Sequence, residues 1–142
     1  MQNKLTKYRA AVDAADRWLS EIAQEIKPVA ARYAAIQKSK SAYFTDLLPD
    51  SIEHISNHQG NVIFSGYSYY SRGCQDSESI SIPRDLAYGT DEEREVIFTQ
   101  MESDLAAEKK AAAEEQAAKT EAAEKAHFLA LRAKYEGTTN VR

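Results

Sequence analysis

His54 and His58 stand four residues apart in the segment His54-Ile-Ser-Asn-His58, with Glu53 just ahead of them. On a helix that spacing puts both imidazoles on one face, where they could share a metal ion. A third ligand is missing, because Glu53 points elsewhere on the turn, and no acid between the histidines could serve as the general base of a zinc protease. The residues therefore predict no metal and no cofactor, with His54 and His58 kept as a minor alternative. Cys74 is the single cysteine of the chain and follows Gly73. With His54 or His58 as base and Arg72 lowering its pKa it could act as a nucleophile, but nothing orients the base. The plainer reading is an incidental cysteine in a turn. No phosphate-cradling glycine loop, nucleophile elbow or metal-type cysteine pair is present. These residues predict a protein that is not an enzyme.

Recognition is the better-supported chemistry. Tyr67 and Tyr69 fall on one face of an extended segment and Tyr70 on the other, with Arg72 close behind. Tyrosine and arginine dominate protein-binding surfaces because they offer large contact area at low entropic cost. The plainer reading is that one of these faces packs on the rest of the fold. A second candidate surface is acidic and runs along the last helical segment through Glu92, Glu95, Glu102 and Asp104. It could mimic the charge of nucleic acid towards a basic partner, or it could be an ordinary solvated helix face.

These residues need elements to hold them. The chain has 142 residues, a net charge of −4 and 43% hydrophobic residues, many of them alanine. That is the size of a single domain, with a thin core. One cysteine allows no internal disulfide and suits a reducing cytosol. The start lacks an apolar run of signal-peptide length, and no stretch approaches the ~20 apolar residues of a membrane helix. The expectation is a cytoplasmic protein without membrane contact. Charge runs +4 over residues 1–40, −4 over 41–90, −7 over 91–124 and +3 over 125–142. Without clustered Lys and Arg, direct nucleic-acid binding is not expected.

The first arm, residues 1–40, carries a stripe through Leu5, Tyr8, Val12, Ala15, Leu19, Ile22, Ile26, Val29, Tyr33 and Ile36. Its spacings alternate three and four, the a/d pattern of a coiled coil. Trp18 lies outside the stripe. Pro28 interrupts the arm, either as a kink or as the first residue of a second helix; the unbroken heptad phase favours a kink. Between residues 41 and 90, Asp50 or Ser51 could cap a short helix running to about Asn57. Val62 to Tyr70 and Ser79 to Ile82 read as the two strands of a β-hairpin ended by Pro83, with Gly66 marking a bulge or a close backbone approach. Thr90-Asp-Glu-Glu93 is a helix start, and the segment 91–136 has helix-forming composition throughout, with only alanine as its apolar type from Glu108 to Lys125. Residues 137–142 read as a flexible tail.

The fold class that follows is α+β and mostly α. Two long helices form an antiparallel coiled-coil-like stalk, with the short helix and hairpin as its head, in one domain over 1–142. The basic first arm would lie along the acidic last helix, or the stripe would pair with its copy in a homodimer. The segment Ser65-Gly66-Tyr67, Tyr70, Arg72-Gly73, Asp76, Ile80, Ile82-Pro83 and Leu86 resembles a strand–turn–strand pattern in small accessory proteins of bacteriophages and prophages, over about 22 residues. The resemblance implies an accessory protein that binds and inhibits a host or defence protein. The competing expectation is a structural, assembly-type coiled-coil homo-oligomer.

Overall fold

The computed structural model describes residues 3–139. Helix α1 spans Lys4–Lys40 and is capped by Asn3, whose side chain accepts from the Thr6 amide at 2.8 Å. It continues through Pro28, with Ile26 and Val29 buried on either side, so packing holds the helix across the residue that lacks a donor. Strands β1 (Ser51–His58), β2 (Asn61–Tyr69) and β3 (Gln75–Pro83) form one antiparallel sheet in the order β1-β2-β3. A single 3-10 turn, Ser71–Gly73, joins β2 to β3. Helix α2 (Arg84–Tyr88) follows at once, and α3 spans Asp91–Thr139.

The sheet departs from the expected hairpin. Ser51–His58 is a strand and not a short helix. Ile52 and Ile55 are three apart, as on a helix, yet both pair towards the core side of the sheet because a bulge between Ile52 and His54 inserts one residue. His58 and Asn61 close that hairpin through Gln59-Gly60, whose φ values are 48° and 80°. Two positive φ angles in a two-residue loop make the tight turn whose twist matches its strands. The bulge lies beside Gly66, which is the close approach its position suggests: a Cβ there would sit 1.7 Å from the Ser51 carbonyl oxygen. Helix α2 has no counterpart in the sequence reading. The expected tail is shortened too, since Gly137 to Thr139 continue α3; residues 140–142 lie outside the described residues.

Burial alternates along β2, with Val62, Phe64, Gly66 and Ser68 covered. Ile52 of β1, Ile80 and Ile82 of β3, Leu86 and Ala87 of α2, Ile26, Val29, Ala30 and Ile36 of α1 and Phe98 of α3 join them in the core. Thr90 and Glu93 cap α3 reciprocally: the Glu93 amide donates to Thr90 Oγ1 at 3.2 Å and the Thr90 amide to Glu93 Oε2 at 2.8 Å. The chain divides into two compact units, Met1–Glu102 and Ser103–Arg142. The second unit is helical through Thr139, and its Phe128, Leu129, Leu131 and Tyr135 side chains are exposed. No helix among the described residues is long and apolar enough to cross a membrane.

Candidate functional site

The alternation that buries one face of the sheet defines the other. Strand pairing puts Ser51, His54 and Ser56 of β1, Ile63, Ser65, Tyr67 and Tyr69 of β2, and Ser77, Ser79 and Ser81 of β3 on the side away from the core. None of these ten residues carries a formal charge at neutral pH with histidine neutral. Tyr67 is half-buried among its neighbours and Tyr69 is 59% exposed. The face therefore carries serine hydroxyl groups around two tyrosine rings.

Tyr70 turns the other way, as its position predicts. Its hydroxyl donates to Glu78 Oε1 at 2.6 Å, and the Ser68 hydroxyl donates to the same carboxylate. The Asp50 amide donates to Ser68 Oγ at 3.1 Å, and the Tyr69 amide donates to Asp50 Oδ2 at 3.1 Å. The bonds from Ser68 and Tyr70 hold the Glu78 carboxyl below its usual range, and the same contact raises the Tyr70 phenol. A carboxylate stabilised this way is a poor base, so the cluster fastens the segment before β1 to the end of the sheet. Arg72 is exposed in the turn beyond, with φ 73°.

The histidine pair loses its helix. His54 and His58 lie on β1, four residues apart along a strand, which separates them by about 13 Å. Two residues that far apart cannot share an ion, and no group of three or more His, Cys, Asp or Glu among the described residues is placed to hold a metal. Cys74 is exposed beyond the Tyr69–Gln75 end of the sheet, whereas His58 sits at the Asn61–Pro83 end. The two cannot form a nucleophile and base.

The acidic set is divided. Glu92 is exposed. Glu95 and Glu102 both accept from Arg32, at 2.7 Å and 2.8 Å, while the guanidinium lies 4.6 Å from the centroid of the Phe98 ring. Arg32 holds both carboxyls below their usual range, first through its hydrogen bonds. Asp104 belongs to the second unit and is exposed. Half of the acidic set thus serves the fold, and the basic-arm attraction read from the sequence is realised at Arg32.

Of the stripe on α1, Ile26, Val29 and Ile36 are buried, Leu19, Ile22 and Tyr33 half-buried, and Leu5, Tyr8, Val12 and Ala15 exposed. Two features escaped the sequence. Arg94 is 7% exposed and donates to the Leu86 and Ala87 carbonyls, each at 2.8 Å, closing the end of α2. A groove of about 1020 Å³ runs between α1, at Lys27, Ala30, Ala34 and Lys38, and the Leu47–His54 segment, at Leu48 and Ile52. The alanines at spacings of three and four were its only visible signal. No protein-family model, curated protein or solved structure matches the chain.

Proposed function

We propose that this is a non-enzymatic protein-binding protein that recognises its partner with the open face of the sheet, centred on Tyr67 and Tyr69 with Arg72 at the rim. The observation that carries this reading is the composition of that face: uncharged, serine-rich and aromatic at the centre. Serine and tyrosine are the residues that binding loops favour, the first for adaptable hydrogen bonding and the second for rigid amphipathic contact. The lack of charge argues for a protein surface over a phosphate backbone. On the phage-like resemblance of the strand–turn–strand segment, the partner would be a host or defence protein in the cytoplasm, and binding would inhibit it. Glu92 and Asp104 stay as secondary contacts in this reading.

The test is a pull-down from the native host or a phage-infected cell, repeated with Tyr67→Ala combined with Tyr69→Ala. Loss of two central aromatic anchors should weaken partner binding by about 2 kcal/mol or more, with the melting temperature unchanged. A large fall in melting temperature with binding intact would overturn the proposal.

A second reading, an assembly protein that forms a homo-oligomer, draws on the exposed apolar stripe of α1. In this reading the heptads pair between copies, as the alternative to a stalk made by the two long helices of one chain.

A further inference from the structure

The stripe on α1 changes character along its length. Ile26, Val29 and Ile36 are buried in the first unit, whereas Leu5 is 74%, Tyr8 68% and Val12 37% exposed. The phase never breaks between them. Most of the stability of a helix in a protein comes from packing its apolar face against a partner. The same seam that makes the core therefore continues for three more heptads, half-buried at Leu19 and Ile22 and exposed from Ala15 back to Leu5.

We propose that this part of α1, Lys4 to Glu25, pairs antiparallel with the same segment of a second copy. Charge complementarity selects both the partner and the register. With Leu5, Val12 and Leu19 at a and Tyr8, Ala15 and Ile22 at d, antiparallel pairing that stops where the buried seam begins sets Leu5 against Ile22, Tyr8 against Leu19 and Val12 against Ala15. The small residue meets a β-branched one at the centre and the large rings lie outside. The flanking positions then match as well. Arg9 faces Asp16 of the second copy, Lys4 faces Glu25, and Trp18, 66% exposed in the single chain, lies over Ala11. Two-fold symmetry repeats each of these contacts.

The competing arrangements lack this match. A parallel in-register pair sets Lys4 against Arg9. An antiparallel pair one heptad shorter sets Arg9 against its own copy. Lys4, Arg9 and Asp16 make no ion pair within the chain among the described residues, and the Glu25 side chain is 69% exposed with only a 3.7 Å approach to Arg94. The charges that the pairing needs are on the surface.

The test uses the full chain under reducing conditions, its mass followed by sedimentation equilibrium from about 1 to 100 μM. The unaltered protein should reach twice 15.9 kDa. Arg9→Glu and Asp16→Arg should each weaken the dimer about tenfold or more, because each turns two attractions into repulsions. The double variant should return to within about threefold of the unaltered chain. Both positions lie outside the core, so circular dichroism should report the same fold for all four proteins. A monomer throughout the range overturns the proposal. So does a dimer that Arg9→Glu leaves intact or tightens, which would indicate parallel pairing or association through residues 103–139, and so does failure of the double variant to recover.

Discussion

At Arg32 a guanidinium lies on the Phe98 ring and is hydrogen-bonded by Glu95 and Glu102, tying α1 to the start of α3. Both carboxyls are depressed in the folded chain, so their contribution is present above the pKa of an unfolded glutamate, about 4.3. It is lost as pH falls through the lower folded values. Thermal unfolding followed from pH 7 to pH 3 should show stability falling along that limb, and Arg32→Gln should flatten it. Glu78, which Ser68 and Tyr70 depress in the same direction, should contribute to the slope that remains. An unchanged acid limb in Arg32→Gln would remove Arg32 as its cause. The buried Arg94 shows why such contacts are hard to read from residue types. Arginine among Asp91, Glu92, Glu93 and Glu95 reads as one more solvated charge, and only the short α2 ahead of it supplies the two carbonyls that it satisfies.

Among the elements, Gly66 is the tightest fit in the sheet. Gly66→Ala would drive a methyl group into the Ser51 carbonyl, and β1 would have to move off β2. We expect a loss of about 3 kcal/mol or more in urea unfolding; a variant as stable as the parent would mean that β1 adds little to the fold. The same region decides what was legible beforehand. A bulge adds one residue to a strand, so the two inward isoleucines of β1 acquire the spacing of a helix, and Asp50 or Ser51 then looks like a cap. Periodicity alone cannot separate those cases over eight residues. The capping box at Thr90, the heptad on α1 and the split of Tyr67 and Tyr69 from Tyr70 were all readable, because each depends on near neighbours in the chain. The groove beside α1 depends on distant ones.

At the scale of the molecule, the apolar mass sits in the first unit. Val62, Ile80, Ile82 and Leu86 are almost completely covered, whereas every described position from 106 to 137 is exposed. Hydrogen exchange should reflect this. Amides of β2 should exchange only on global unfolding, and those of the helical second unit orders of magnitude faster, since helix formation there rests on propensity and local pairs such as Glu115–Lys119 and Glu121–Lys125. Equal protection in both would mean that residues 106–137 are covered in solution. Trp18 adds an optical consequence. It is the only tryptophan in the chain, and its side chain is 66% exposed on α1. Its emission starts at the red, water-exposed end, so melting of the sheet barely moves it. Dilution of a paired chain would move it instead, from blue to red, giving one intrinsic fluorophore that is blind to folding and sensitive to company.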